Sequence, residues 1–104
     1  MHRFFSILLI LLINLAGCVH REFDPERAEY SFNLAREPYD DGNYEMALNR
    51  LGEFKARFPY SRFATEAELL IANSQYALGR YVESAAAYKQ FVKLHPKHKE
   101  VPFA

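Results

Sequence analysis

Apolar side chains recur at every third or fourth position along four stretches of the chain, and each stretch is closed by a residue that stops a helix. The first opens at Asp24-Pro25-Glu26. Asp can accept from free backbone N–H groups, Pro tolerates the first helical position, and Glu suits the positive end of the helix dipole. Ala28, Phe32, Ala35 and Tyr39 then share one face, and Gly42 supplies the stop. Pro38 has no N–H to give, so the pattern predicts a kink or an end one turn early. The second stretch runs from about Tyr44 to Phe58, with Tyr44, Ala47, Leu48, Leu51, Phe54 and Phe58 as its stripe and Pro59 after it. Ser61 is the predicted cap of the third, whose stripe is Phe63, Ala67, Leu70, Ile71, Ser74, Ala77 and Leu78, ended by Gly79. Tyr81, Ala85, Tyr88, Phe91, Val92 and His95 form the fourth, ended by Pro96.

The two halves of this pattern are one pattern written twice. At an offset of 37 residues Ala35 pairs with Ala72, Tyr39 with Tyr76, Gly42 with Gly79, Tyr44 with Tyr81 and Ala47 with Ser84. Leu51 pairs with Tyr88, Phe54 with Phe91 and Pro59 with Pro96 at the same offset. A period in the 30s built from helix, turn and helix is the mark of a helical repeat array. Small residues on facing helices let the backbones approach, and the aromatic side chains fill the gaps between turns. Tyr39 and Tyr76 are the candidates to line an inner groove of such an array.

With 104 residues there is room for one small domain and not for a multidomain enzyme. Thirteen Lys and Arg balance thirteen Asp and Glu, which argues against a nucleic-acid partner. A single Cys excludes an internal disulfide framework and a Cys-rich zinc site. Seven Tyr and nine Phe in so short a chain fit a packed core rather than disorder.

The N-terminus has a different character. Met1-His2-Arg3 carries a positive charge, and residues 4–13 are apolar apart from Ser6. That run is about half the roughly 20 residues a spanning helix needs, and its order of charged, apolar and small residues is that of a secretory signal. An uncleaved anchor is the alternative. Leu15, Ala16, Gly17 and Cys18 resemble the bacterial lipobox. The resemblance implies cleavage before Cys18, a diacylglyceryl group on its thiol and an acyl chain on its new amino group, with no other cofactor. Two or more acyl chains anchor stably where one does not. Val19, where Asp favours inner-membrane retention in the resembled lipoproteins, points to the outer membrane and its periplasmic face. The expected organisation is a lipoprotein signal peptide at 1–17 and a lipidated tether at 18–24. A helical domain follows at 25–104, with repeats at about 25–59 and 61–96 and the start of a third at 97–104.

Gly42-Asn43-Tyr44-Glu45-Met46-Ala47 resembles the turn and second helix of a tetratricopeptide repeat, and Gly79-Arg80-Tyr81-Val82-Glu83-Ser84 matches again. Ala35 and Ala72 stand at the family's small site, and Pro59 and Pro96 at its terminal proline. The first-helix Trp of that family is absent. The implied fold is all-α: a tetratricopeptide-like α-α superhelix of two helix pairs, preceded by the lipoprotein signal peptide. A narrower run is Tyr44-x-x-Ala47-x-x-x-Leu51-x-x-Phe54-x-x-x-Phe58-Pro59-Tyr60-Ser61, closing later with Phe91-Val92-Lys93-Leu94-His95-Pro96-x-His98. It resembles the N-terminal part of the BamD family of outer-membrane assembly lipoproteins. That resemblance implies a non-enzymatic scaffold. Its partners would be unfolded outer-membrane proteins and the subunits of the β-barrel assembly machinery, with the membrane reached through the lipid. The family carries more repeats than are read here, so the expectation is a truncated frame or a fragment, with a self-associating short form as the alternative.

Few residues suggest chemistry. His95 and His98 are separated by Pro96 and have no third ligand near in sequence, so they read as solvated loop residues rather than a metal site. Asp40-Asp41 reads as an acidic turn, and Glu66 and Glu68 as acids favoured near a helix N-terminus. No phosphate loop or catalytic triad is present. Two rivals to the assembly role remain. One is a tetratricopeptide adaptor coordinating envelope constriction or peptidoglycan synthesis with the Tol–Pal system. The other is a cell-wall glycan enzyme, which would need two facing carboxylates.

Overall fold

The computed structural model describes residues 24–101. The signal segment 1–17, the lipobox Leu15 to Cys18, the tether up to residue 23 and residues 102–104 lie outside them. Four helices follow in order: α1 Pro25–Asp40, α2 Tyr44–Arg57, α3 Arg62–Ala77 and α4 Tyr81–Leu94. Shifting α1 and α2 by 37 residues reproduces the bounds of α3 and α4. The described residues form no strand.

Local chemistry fixes these ends. Asp24 accepts from the N–H groups of Glu26 and Arg27, Asn43 from that of Met46, and Ser61 from that of Phe63. These bonds satisfy donors that a helix start would otherwise leave without partners. Gly42 and Gly79 sit at φ +77° and +75°, where a side chain would be strained. Each turn closes on two backbone bonds: Asn43 and Gly42 donate to the carbonyls of Pro38 and Tyr39, and Arg80 and Gly79 to those of Gln75 and Tyr76. This is the Schellman arrangement, and it reverses the chain within a few residues.

Of the kink or early end predicted at Pro38, the early end does not occur. The helix continues through it to Asp40, and Pro38 is buried. Its missing N–H costs one hydrogen bond near the end of the helix, but its carbonyl still accepts from Asn43 at 2.7 Å and so takes part in the turn.

The principal packing is between successive helices, and α1 also rests on α3. The core between the pairs contains Phe32, Ala35, Ala47, Leu51, Phe54, Ala67 and Leu70, with Tyr39, Phe58, Phe63 and Ile71 packed against it. Phe32 stacks on Phe63 at 5.3 Å and meets Phe54 at 5.4 Å, joining α1, α2 and α3 through rings. Ala47, Ala67 and Ala72 have no exposed surface, which is the close approach that their small size allows. In the second pair Ser84 takes the place of Ala47, and its hydroxyl donates to the Ala72 carbonyl at 2.9 Å.

Several expected stripe positions lie elsewhere. Tyr81 and Ala85 are exposed on the side of the second helix pair against which no described element packs, and Ala77 faces solvent as its first-pair counterpart Asp40 does. Neither Glu66 nor Glu68 is in the first turn of α3, which begins at Arg62 and holds no acid; Glu68 instead pairs with other helices. It faces Lys55 of α2 at 3.5 Å and His95 at the end of α4 at 2.9 Å. His95 and His98 are half-buried rather than solvated, with both rings against Phe91, at 5.2 and 5.1 Å. Residues 97–101 form a turn in which the Val101 N–H donates to the His98 carbonyl.

Candidate interaction surface

The repeat places the same aromatic pair at each hairpin. Tyr39 meets Tyr44 edge-on at 5.7 Å, and Tyr76 meets Tyr81 in the same way at 5.2 Å. Their surroundings differ. Tyr39 and Tyr44 are half-buried beside the second helix pair, whereas Tyr76 and Tyr81 are each 61% exposed. Of the two groove candidates, Tyr39 is therefore engaged internally and Tyr76 is open to a partner.

Asn73 makes the connection. Its amide nitrogen donates to the Tyr39 hydroxyl at 3.3 Å, and its carbonyl oxygen accepts from the Tyr88 hydroxyl. One side chain on α3 thus ties α1 to α4. Burial raises the Tyr88 phenol above its ordinary pKa, an effect that the neighbouring Ser84 hydroxyl opposes. Sequence reasoning passed over Asn73. The available signal was an amide directly after the apolar run Leu69-Leu70-Ile71-Ala72, near a buried face where an unpaired polar group would be costly.

The open face of the second pair is a groove of about 530 Å³, lined by Tyr76, Tyr81, Ser84, Ala85, Tyr88, Lys89 and Val92. Shifted back by 37 residues, these positions are Tyr39, Tyr44, Ala47, Leu48, Leu51, Gly52 and Lys55. In the first pair that face packs against α3, and Ala47 and Leu51 have no exposed surface. The groove is thus the second instance of a helix-receiving face. Its lining is largely apolar in surface, with the hydroxyls of three tyrosines and Ser84 and the Lys89 amine as its polar groups.

The other packing positions are distributed simply. Ala35, Phe54, Ala72 and Phe91 are buried, and Pro59 and Pro96 are exposed in the turns after α2 and α4. Among the described residues no group of three or more His, Cys, Asp or Glu is placed to hold a metal ion. No described helix is long and apolar enough to cross a membrane. Cys18 and its neighbours lie outside the described residues.

Comparison with known proteins gives a consistent family. The tetratricopeptide repeat profile matches residues 20–104. Outer membrane protein assembly factor BamD of Neisseria gonorrhoeae is 30% identical over 70 residues, covering 67% of this chain and 26% of that protein. The protein of the same name from Caulobacter vibrioides is 22% identical over 102 residues, covering 92% of this chain and 33% of its own length. The chain therefore spans between a quarter and a third of these curated relatives. No solved structure matches it. Two hairpins of equal length, the glycine turns they share and the profile match across both lead to one assignment: the chain belongs to the tetratricopeptide repeat family.

Proposed function

We propose that this chain is a non-enzymatic scaffold, anchored by lipid on Cys18 to the periplasmic face of the outer membrane, that assists the assembly and insertion of β-barrel outer-membrane proteins. The observation that carries this reading is the similarity to relatives named as outer membrane protein assembly factors. The open aromatic groove supports it, because a face built to receive a helix or an extended segment suits a docking role. The lipobox residues Leu15, Ala16, Gly17 and Cys18 support the anchor. Partners would be unfolded outer-membrane proteins and the subunits of the assembly machinery.

Photocrosslinking in cells tests the role. A photoreactive residue at Tyr76 should capture newly exported barrel proteins or assembly subunits. Capture of peptidoglycan synthases in their place would overturn the proposal, as would normal barrel assembly in cells lacking the chain. Mass spectrometry of the N-terminal peptide tests the anchor separately, since a free Cys18 thiol on the exported chain is incompatible with it.

A further inference from the structure

The balanced charge of the chain conceals a segregation along the helix axes. The four helices run between two rims. One rim holds residues 24–28, 54–65 and 91–101: the starts of α1 and α3, the ends of α2 and α4, and the turns beside them. The other holds residues 37–47 and 74–84, with the two glycine turns. Seven Lys and Arg stand against three Asp and Glu on the first rim, and one against five on the second. The pairing differs as well. On the acidic rim Arg80 is held by Glu45. On the basic rim Lys55 is held by Glu68, but Arg57, Arg62, Lys93, Lys97 and Lys99 are exposed, and among the described residues none of these five is paired with an acid. Tyr60 projects between the two arginines, 94% exposed, and Leu94 is 55% exposed beside Lys93.

We propose that the basic rim lies on a bilayer containing anionic phospholipid, its guanidinium and ammonium groups on headgroup phosphates and Tyr60 and Leu94 at the headgroup level. The inference rests on the membrane attachment proposed above and adds the face that the domain turns to the lipid. α1 starts on this rim, so the segment that leads back to Cys18 departs from it, and the six residues from Val19 to Asp24 span at most about 22 Å. The acidic rim lies a further ~24 Å away along the 16 residues of α1. Attraction at the near rim and repulsion at the far one therefore favour the same orientation. The unpaired cations are spread over two turns and a helix end rather than gathered in a pocket, which suits an extended charged plane. Turns at a rim are flanked by a neighbouring hairpin and not covered by it, so this surface does not depend on what lies beside α4.

A second copy would offer its acidic rim as a rival occupant. With both copies attached through Cys18, that rim stands about 24 Å above the end from which its own tether departs. The copy resting on it would have its basic rim beyond the roughly 22 Å reach of its tether.

The test uses the full chain, purified from membranes, in nanodiscs of neutral phosphatidylcholine alone or mixed with anionic phosphatidylglycerol, each with a trace of gadolinium-chelating lipid. Broadening of amide NMR signals reads closeness to the bilayer. In the anionic discs Tyr60 and Lys97 should be broadened and Gly42 and Gly79 spared. The contrast should be lost or sharply reduced in neutral discs, and in 1 M salt, where the Debye length is about 3 Å. Lys97→Glu with Lys99→Glu, both in an exposed turn, leaves five basic residues against five acidic on the rim and should remove the contrast with the helical circular dichroism unchanged. Equal broadening of the two rims in anionic discs overturns the inference, as does a contrast of the same size in neutral discs or in the double variant. So does a basic rim that stays unbroadened and crosslinks in cells to an acidic protein. Mass spectrometry separates the two readings: a free Cys18 with a rim that still follows lipid charge removes the anchor and supports the rim, and an acylated Cys18 with no dependence on lipid charge does the reverse.

Discussion

Truncating Leu51 to alanine probes the difference between a covered and an open repeat. Leu51 has no exposed surface and belongs to the cluster with Ala47, Phe54 and Leu70. The change removes three carbons, each costing about 0.8 kcal/mol in transfer free energy, or about 2.4 kcal/mol together. A cavity term adds to this, because Phe32, Phe54 and Phe63 are held ring against ring and cannot collapse freely into the space. The expected loss is about 3–4 kcal/mol, within the range known for buried leucines. A domain of this size is stable by roughly 4–12 kcal/mol, so the loss is a large fraction of the total. Tyr88→Ala at the corresponding position should cost less, about 1–2 kcal/mol, although it removes a larger side chain. That residue is half-buried and loses the bond to Asn73 and one face of ring contact. Urea denaturation followed by circular dichroism at the helical band measures both. A loss under about 1 kcal/mol for Leu51→Ala, or a larger one for Tyr88→Ala, would refute the claim that coverage by α3 sets the value of this position.

Three further outcomes follow from the same geometry. Gly52→Ala lies within a helix with no atom within 4 Å of the added methyl, and should stabilise by about 0.5–1 kcal/mol, whereas Gly42→Ala at φ +77° should destabilise by at least about 1 kcal/mol; paired denaturant melts read both. Ser84→Ala should cost about 1 kcal/mol or less, because the Ala72 carbonyl keeps its own helical bond and the first repeat carries alanine there, and a thermal melt checks this. The raised Tyr88 phenol keeps its proton in the folded chain when the unfolded chain has begun to lose it, so its contribution is complete below about pH 10 and is lost as pH rises through the folded value. Stability measured across that alkaline window should fall less steeply in Tyr88→Phe.

The helix boundaries were legible because their signals are local. Asp24, Asn43 and Ser61 accept bonds from the next few residues, and Gly42 and Gly79 each take a backbone angle that other residues avoid. Periodicity marked the apolar faces but could not say which of them has a neighbour. Tyr81 and Ala85 follow the stripe spacing and are nonetheless exposed. The early end expected at Pro38, which does not occur, has a related origin. Proline propensity describes a helix interior, and here the residue sits where the turn needs only its carbonyl. Long-range pairs left no trace in the spacing. Glu68 reaches a lysine 13 positions before it and a histidine 27 after it, and neither distance follows from helical geometry on one element. For the candidate surface, the equivalence of Tyr39 and Tyr76 was readable, and their different exposure was not, because exposure depends on what packs beyond the hairpin.

The pairwise packing of each helix chiefly on its sequence neighbours has a further consequence. Such an array has no centre. Each hairpin is steadied by whatever lies on its two flanks, so cohesion behaves like that of a zip fastener, strong where teeth interlock on both sides and weak at an open end. Among the described residues, α4 has a helix on one flank alone. The Asn73 amide is where that flank is tied to the rest, since it holds the Tyr39 hydroxyl of α1 and the Tyr88 hydroxyl of α4 together. A change at that one amide would therefore be felt on both sides of α3 at once.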